Sequence, residues 1–225
     1  MSEMLKTGAV IGILGGGQLG RMLSVAASRL GLRTHIFEPS ANPPAADVAH
    51  QLTTASYEDH DPLRAFAATV DVITYEFENI PTSALDVLES LRPIRPGREA
   101  LRVSQDRLTE KTYLANLGLK TAPFANVENA EDMEKAVAEI GAPSILKTRR
   151  FGYDGKGQSR LKSAEDAAQA LADMAGAPAV LEGFVTFSHE VSVIGTRSAD
   201  GQVACFDPGE NVHRDGILHT TTVPA

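Results

Sequence analysis

Cysteine is nearly absent from this sequence: Cys205 is the single one among 225 residues, so no internal disulfide framework is available. The first residues, MSEMLKTG, lack the long apolar stretch of a secretory signal. No apolar run approaches the length of a membrane-spanning helix. These absences predict a protein of the reducing cytoplasm with no membrane partner.

Positive charge is also in short supply. Lys and Arg number 21 against 29 Asp and Glu, which gives a formal net charge of -8. Proteins that track nucleic-acid phosphates usually carry a basic face, so no nucleic-acid partner is expected. Any phosphate that binds has to be held by a few local cations. The hydrophobic fraction of 43% is enough for the core of one large domain or two small ones.

Several catalytic motifs are missing. The six histidines form neither a His-Glu-x-x-His motif nor a zinc-like cluster with cysteine. The sequence has no Walker A loop and no Gly-x-Ser-x-Gly nucleophile turn, and Cys205 has no basic neighbour in sequence to activate it. Covalent catalysis and a resident zinc ion therefore have little support.

Apolar segments alternate with helical patterns from Val10 to about Arg92, which predicts βαβ units and a mostly parallel, Rossmann-like sheet of the α/β class. The stretch GGGQLGRM, residues 15–22, follows the first predicted strand and opens a helix. The apolar residues of that helix recur at helical spacing. They are Leu19, Met22, Leu23, Ala26 and Leu30.

The glycines of this stretch allow two interpretations. Gly15, Gly17 and Gly20 have the G-x-G-x-x-G spacing of a dinucleotide fingerprint. Glu38 follows eighteen residues after Gly20, where a carboxylate could bond the ribose of a nicotinamide cofactor. The same glycines are equally consistent with a tight strand-to-helix turn that binds nothing.

The segment LRPIRPG, residues 91–97, holds two prolines and a glycine and is the best candidate for a connection between domains. We therefore predict a first domain over residues 1–97 and a second over residues 98–225.

The predicted second domain mixes helices with antiparallel strands. Two helix-strand segments begin at Asn129 and Ser163, and their strands end at Lys147 and Glu182. Further on, Asp-Gly turns at 200–201 and 215–216 separate short apolar runs and predict antiparallel hairpins. Polar groups at strand ends commonly line ligand clefts, which directs attention to Lys147 and Glu182.

The segment KTRRFGYDGKGQ, residues 147–158, carries the strongest chemical signal. Its glycines let backbone amides approach a phosphate, while Lys147 and Lys156 offset the negative charge. A basic surface hairpin is the plainer alternative, but so many glycines would then cost conformational entropy without a return, which favours phosphate binding. Residues 182–185, EGFV, could meet a flat base, and Glu190 could accept ribose hydroxyls, although by themselves both are ordinary surface positions.

Six segments, in order and across nearly the whole chain, carry a family resemblance. They are GGGQLGRM from Gly15, TYEFENIP from Thr74, QDRLTEK from Gln105, ILKTRRFGYDGKGQ from Ile145, EGFVTFSHEVSVI from Glu182 and ENVHRDGIL from Glu210. With these segments the chain resembles the ATP-grasp enzymes, and in particular the family of 5-(carboxyamino)imidazole ribonucleotide synthases. The resemblance implies a Rossmann-like pre-ATP-grasp substrate domain with a parallel sheet, followed by an ATP-grasp α+β domain.

The activity that this resemblance implies is the carboxylation of 5-aminoimidazole ribonucleotide in purine biosynthesis, with ATP, Mg²⁺ and bicarbonate. In the family's mechanism, bicarbonate attacks the γ-phosphate to form carboxyphosphate, which delivers carbon dioxide to the exocyclic amine. The resemblance also implies a homodimer. Formate-dependent glycinamide ribonucleotide transformylase shares the ATP-grasp pattern and remains an alternative, as do an NAD(P)-binding oxidoreductase and a non-catalytic nucleotide sensor.

Site residues follow from the same resemblance, position by position. The implied ATP-binding residues are Arg107, Lys147, Gly152, Tyr153, Asp154, Gly155, Lys156, Gly157, Gln158, Glu182, Gly183, Phe184, Val185, Glu190 and His213. The implied catalytic residues, which face carboxyphosphate and the acceptor, are Tyr153, Asp154 and Lys156. The residues expected to bind the ribonucleotide are Gln18, Leu19 and Glu76.

One part of the family pattern has no match. The acids that bind magnesium in the family, in a segment resembling N-E-x-A-P-R, correspond to positions beyond Ala225, so no metal ligand is predicted in this chain. The expectation is a C-terminally incomplete ATP-grasp chain that is inactive alone.

Overall fold

A computed structural model describes residues 4–152, 156–214 and 216–225. The chain divides into two compact units, one ending at Gln105 and the other beginning at Asp106. The predicted boundary at residue 97 lies one helix earlier. The intervening helix, α4 (Arg98–Ser104), belongs to the first unit because its Leu101 is fully buried in that unit's core.

The first unit is built on a four-stranded sheet. Its strands are β1 (Val10–Leu14), β2 (Arg33–Phe37), β3 (Gln51–Thr53) and β4 (Val72–Tyr75). They are arranged in the order β3-β2-β1-β4, and every pair is parallel. The prediction of a parallel α/β sheet is therefore confirmed.

In residues 4–105, four α-helices and a short 3-10 helix (Pro44–Asp47) accompany this sheet. The α-helices are α1 (Gln18–Arg29), α2 (His60–Ala68), α3 (Thr82–Glu89) and α4. The largest cluster of buried side chains includes Phe37, Phe66, Ile73, Leu85 and Leu101. Each fully buried side chain of this kind stabilises the fold by about 1.5 to 3 kcal/mol, so this cluster is the main source of the unit's stability.

Helix α1 forms where predicted, but its large apolar side chains are exposed. Leu19 and Met22 are 58% and 59% exposed, and Leu30, directly after the helix, is 72% exposed. The buried residues of the helix are the small ones, Gly20, Ser24 and Ala27. A Cβ atom at Gly20 would lie 2.8 Å from the Gly15 carbonyl oxygen, so the close approach of helix and turn requires glycine there.

The second unit begins with a different sheet. Its strands are β5 (Phe124–Val127), β6 (Ser144–Thr148), β7 (Gln158–Leu161) and β8 (Ala179–Gly183). The order is β5-β8-β6-β7, and all pairs are antiparallel. The unit's helices are α5 (Arg107–Asn116), α6 (Ala130–Ile140) and α7 (Ala167–Asp173). Buried residues of α6 and α7, such as Met133 and Ala170, share one core with Leu146 and Leu181 of the sheet.

The two helix-strand segments have the predicted end signals. The Asn129 side chain accepts a hydrogen bond from the Asp132 amide at the start of α6. Ser163 and Asp166 form a reciprocal capping box ahead of α7. Gly141, with a φ of 78°, ends α6, whereas α7 ends at Asp173 and is followed by positive φ at Ala175 (51°) and Gly176 (83°).

The remaining strands form two small antiparallel sheets. β10 (Gly195–Arg197) pairs with β11 (Val203–Cys205) across the predicted Asp-Gly turn. β9 (Glu190–Ser192), β12 (Gly209–Arg214) and β13 (Ile217–Thr222) form a sheet in the order β13-β12-β9. Of the second predicted turn, Asp215 lies outside the described residues. Within the described ranges, none of the helices has the length and apolar character needed to cross a bilayer.

His35 on β2 provides a test of the first unit's packing. Its side chain is 1% exposed, with Nδ1 2.7 Å from Thr69 Oγ1 and Nε2 2.8 Å from Thr53 Oγ1. Thr69 already donates its hydroxyl proton to the Phe66 carbonyl, so it accepts from Nδ1–H. Burial, assisted by the charge of His50, lowers the His35 pKa from 6.5 to about 4.

We predict that this histidine makes the unit less stable in mild acid. Below pH 6.5 the unfolded chain binds a proton that the folded chain excludes, so up to about 1.4 kcal/mol of unfolding free energy is lost per pH unit until pH 4. Urea unfolding between pH 7.5 and pH 4.5 should show a shallower pH slope for His35→Gln. The exposed His60→Gln variant is the control, and equal slopes for His35→Gln and the unmodified chain would contradict the prediction.

Candidate functional site

The glycine turn between β1 and α1 is shaped by close approach. Gly15 has a φ of +103°, and a Cβ atom there would lie 2.8 Å from Glu76 Oε1. A Cβ atom at Gly16 would lie 2.7 Å from Pro43 Cβ. Both positions therefore need glycine for steric reasons, whatever the turn binds.

Two carboxylates already occupy the amides of this turn. The Gly16 N–H donates to Glu38 Oε2 at 3.0 Å, and the Gly17 N–H donates to Glu76 Oε1 at 2.8 Å. Negative charge is favourable at a helix N-terminus, which explains why the acids lie there. A dinucleotide pyrophosphate would have to displace both carboxylates, so the geometry disfavours the nicotinamide interpretation of this turn.

A cleft of about 320 Å³ opens beside these carboxylates. Its lining residues include Gly17, Glu38, Ser40, Glu76 and Phe77. Burial raises the pKa of Glu76, the hydrogen bond from Gly17 opposes that shift, and the nearby charge of Glu38 adds to it.

The three predicted ribonucleotide residues face different surfaces near the glycine turn. Glu76 lines the cleft, whereas Gln18 lines a shallow groove along α1 with Arg21 and Met22. Leu19 is exposed on the same helix. Tyr57 was not singled out in the sequence, and its hydroxyl lies 3.4 Å from Glu38 Oε2.

In the second unit, the two strand ends noted in the sequence meet. Lys147 Nζ of β6 lies 2.9 Å from Glu182 Oε2 of the neighbouring strand β8. The Glu182 side chain is 9% exposed and that of Lys147 is 23% exposed. Antiparallel pairing of Ile145 with Glu182 places the lysine diagonally across from the carboxylate on the same face of the sheet.

Lys111 is a third member of this cluster that sequence reasoning missed. Its Nζ lies 3.4 Å from Glu182 Oε1 and 5.6 Å from the ring centroid of Phe124. Lys111 follows Arg107 by one helical turn on α5, and this spacing was the available signal. Two ammonium groups thus share one carboxylate, which leaves an excess positive charge in a sheltered place and suits an anionic ligand.

Arg107 anchors the glycine loop that joins β6 to β7. Its Nε donates to the Thr148 carbonyl at 3.1 Å, and its Nη2 donates to the Gly152 carbonyl at 3.0 Å. Gly157 has a φ of +67°, and a Cβ atom there would lie 2.6 Å from Thr148 Oγ1. The described ends of the loop are therefore held tightly.

The middle of the loop carries three of the predicted nucleotide-binding residues. Tyr153, Asp154 and Gly155 lie outside the described residues. Lys156 is described and follows them directly. Gln158 begins β7 and pairs with Lys147, which brings the two ends of the predicted phosphate segment together.

In residues 182–185, the segment predicted to contact the adenine base, two backbone amides are already hydrogen-bonded within the fold. The Gly183 amide donates to the Pro123 carbonyl at 2.9 Å, and the Phe184 amide donates to the Pro143 carbonyl at 3.0 Å. These two donors are therefore taken, and a base would have to use the other groups of the segment. The ring of Phe184 is covered on one side by the guanidinium of Arg160, 4.4 Å from the ring centroid.

Glu190 and His213 are brought together by the pairing of β9 with β12. His213 Nδ1 lies 3.2 Å from Glu190 Oε1, although the two residues are far apart in sequence. Throughout the described part of the chain, no group of three or more His, Cys, Asp and Glu side chains is arranged to hold a metal ion.

Comparison with family models agrees with this arrangement of two units. A model described as the ribonucleotide synthetase preATP-grasp domain matches residues 8–105, and the ATP-grasp domain model matches residues 112–225. The chain belongs to the ATP-grasp family. The predicted class, a pre-ATP-grasp domain followed by an ATP-grasp domain, is thereby confirmed.

Two relatives that carry the same enzyme name are similar to this chain over almost its whole length. The chain is 53% identical over 223 residues to the N5-carboxyaminoimidazole ribonucleotide synthase of Brucella melitensis, covering 98% of this chain and 62% of that protein. It is 40% identical over 223 residues to the enzyme of the same name from Bacillus subtilis, covering 99% of this chain and 59% of that one. The chain thus spans about six-tenths of the length of these relatives.

Solved structures give the same result. The ADP complex of an N5-carboxyaminoimidazole ribonucleotide synthetase matches with a TM-score of 0.94 and 42% identity, over 100% of this chain and 60% of that one. An N5-carboxyaminoimidazole synthase from Aspergillus clavatus, in complex with ADP and 5-aminoimidazole ribonucleotide, matches with a TM-score of 0.83 and 28% identity, over 94% and 56%. The resemblance read from the sequence is confirmed.

We predict that Lys111 contributes to stability through Glu182. In Lys111→Met one oxygen of a nearly buried carboxylate loses its cation, which should lower the unfolding free energy by about 1 to 2 kcal/mol at pH 7. Urea unfolding at pH 7 measures this loss.

Lys135→Met is the matched control, because Lys135 pairs with Glu131 on the surface, where both side chains are at least 69% exposed. It should change the unfolding free energy by less than about 0.5 kcal/mol. Equal effects of the two substitutions would show that the Lys111 contact with Glu182 has no special weight.

Proposed function

We propose that this chain belongs to an enzyme that carboxylates 5-aminoimidazole ribonucleotide with ATP and bicarbonate, an ADP-forming C–N ligation in purine biosynthesis. The observation that carries the proposal is the cluster of Lys111, Lys147 and Glu182 beside a glycine loop that Arg107 anchors. In a chain with a net charge of -8, this cluster is a local positive site suited to phosphate. The names of the relatives supply the reaction.

In this proposal, ATP binds on the face of the sheet that carries Lys147. Lys147 and Arg107 meet the phosphates, residues 152–158 cover them, and residues 182–185 contact the adenine. Phosphoryl transfer needs positioning and charge neutralisation more than a protein nucleophile, and this cluster supplies both. Glu190 and His213, already in contact, would bind the ribose side of the nucleotide.

In the proposed reaction, bonds break and form in the substrates, and the protein residues position them. A bicarbonate oxygen would attack the γ-phosphorus while the bond to ADP breaks. The carboxyphosphate formed would then break its bond between carbon and the phosphate oxygen, releasing inorganic phosphate and carbon dioxide, and the exocyclic amine would form the new C–N bond with that carbon dioxide and lose a proton. Tyr153, Asp154 and Lys156 are proposed to face this intermediate. The loop would exclude water, which otherwise hydrolyses carboxyphosphate.

The ribonucleotide is proposed to bind in the cleft of the first unit. Glu38 and Glu76 are acceptors, so they suit ribose hydroxyls or an amine rather than a phosphate. The phosphate of the ribonucleotide would not use the amides of Gly16 and Gly17, because both are bonded to these carboxylates. Gln18 and Leu19, at the exposed start of α1, would contact the ligand from outside the cleft.

Three further features belong to the proposal. Mg²⁺ would accompany the ATP phosphates, and no protein ligand for it is assigned among the described residues. The working protein would be a cytoplasmic homodimer. The exposed apolar residues of α1, including Met22 and Leu23, form the kind of surface that subunit interfaces bury.

Phosphate release tests the proposed reaction. The assay compares the chain with a fusion that adds the remaining C-terminal region of the Brucella melitensis relative. We expect phosphate release from ATP to require both 5-aminoimidazole ribonucleotide and bicarbonate. Lys147→Met should lower kcat/KM for ATP by about a hundredfold, because it removes a cation from the phosphates, whereas Lys135→Met should not.

Two outcomes would reject this assignment. Equal phosphate release with glycinamide ribonucleotide and formate would place the protein with the transformylases. Saturable binding of NADH but not of ATP would indicate that the glycine turn of the first unit binds a dinucleotide.

A second prediction concerns the ribonucleotide cleft. Glu76→Gln keeps an acceptor for the Gly17 amide but removes the charge, so it should raise KM for the ribonucleotide by about tenfold and leave KM for ATP unchanged. Glu78→Gln changes an exposed acid two residues away and is the control. A larger effect on KM for ATP than for the ribonucleotide would show that the ribonucleotide does not bind in this cleft.

A further inference from the structure

One ion pair joins the two chain segments that carry the proposed phosphate cations. Arg149 Nε lies 2.9 Å from Asp106 Oδ2, and its Nη2 lies 2.8 Å from the same oxygen. The side chains are 22% and 16% exposed, so solvent screens the pair only weakly. Asp106 directly precedes Arg107, and Arg149 lies two residues after Lys147.

Asp106 has a second task in the same place. It is the N-cap of α5, where its Oδ1 accepts from the Thr109 amide at 3.0 Å. The Arg107 amide, at the first position of the helix, donates to the Arg149 carbonyl at 3.0 Å. Burial would raise the Asp106 pKa, but the bonds from Arg149 and Thr109 outweigh it and hold the pKa below its ordinary value.

We propose that Asp106 and Arg149 are positioning residues for ATP: their ion pair fixes the start of α5 against the end of β6 and so sets the separation of Arg107 and Lys147. This inference rests on the proposed ATP site. Phosphate cations have to be placed before the nucleotide arrives, since each loosened side chain adds an entropy cost to binding. With the ion pair broken, Arg107 would remain charged but would no longer be held against the carbonyls of Thr148 and Gly152.

The two tasks of Asp106 can be separated by substitution. Asparagine caps a helix about as well as aspartate, so Asp106→Asn keeps the bond to Thr109 while it removes the charge that pairs with Arg149. Asp106→Ala removes both. Arg149→Lys keeps a charge but loses the planar fork, and Arg149→Met removes the charge.

Amide hydrogen exchange reads the positioning without any ligand. In Asp106→Asn we expect the Thr109 amide to stay protected and the Arg107 amide to exchange about tenfold faster, whereas in Asp106→Ala both should exchange faster. Glu128→Gln is the matched control: Glu128 also contacts Arg149, at 3.3 Å, but its side chain is 55% exposed. This control should change neither amide.

Titration with ATP supplies the second measurement. Asp106→Asn and Arg149→Met should each weaken ATP binding by about tenfold, Arg149→Lys should fall between Arg149→Met and the unmodified chain, and the double variant should be no worse than either single variant. Additive losses, or unchanged Arg107 exchange and ATP affinity in Asp106→Asn, would overturn the inference. If the fusion that adds the C-terminal region also fails to bind ATP, the proposed function fails instead, and the exchange data still decide whether the ion pair fixes the two segments.

Discussion

The second unit depends on the position of strand β6 between two antiparallel neighbours. β7 and β8 both bond to it, so its register and orientation are fixed on either side. Side chains of a strand alternate between faces, and Leu146 therefore enters the core with α6 and α7 while Lys147 lies on the opposite face. The proposed phosphate lysine is held in place by the same hydrogen bonds that build the sheet.

The two glycine segments lie beside side chains of opposite charge. In the first unit, carboxylates fill the amides of Gly16 and Gly17, so the turn presents acceptors to a ligand. In the second, Arg107 holds the loop carbonyls of Thr148 and Gly152, and lysine ammonium groups stand nearby. The spacing of the glycines alone does not distinguish a segment that presents acceptors from one that lies beside cations. The two segments differ in the carboxylates and cations that contact them, and these side chains are far away in sequence.

Much of the fold could be predicted from the sequence because it depends on local patterns. Helix caps such as Asn129, turns such as Asp200-Gly201 and the apolar periods of the strands all act over a few residues. The burial of α1 could not be predicted in this way. Its apolar spacing indicates a helix correctly, but which face meets the sheet is decided by how closely Gly20 approaches the turn, a tertiary property.

The residues of the candidate site were likewise predictable from the sequence only in part. Lys147 and Glu182 were identifiable because each ends a strand, and the family motifs carry them. Lys111 and Arg149 also lie in the quoted segments QDRLTEK and ILKTRRFGYDGKGQ, but their roles were not identified, because their partners lie more than 40 residues away in sequence.

The balance of charges in the cluster of Lys111, Lys147 and Glu182 explains what Lys111 adds to the proposed phosphate site. Lys147 and Glu182 alone would neutralise each other and would offer little to a phosphate. Lys111 restores a net positive charge to the cluster by sharing the same carboxylate. The acid still keeps both ammonium groups in place before a ligand arrives, since two unpaired lysines would repel each other and lose their fixed positions. A sheltered carboxylate held between two cations is therefore compatible with anion binding, and its own negative charge is what organises the site.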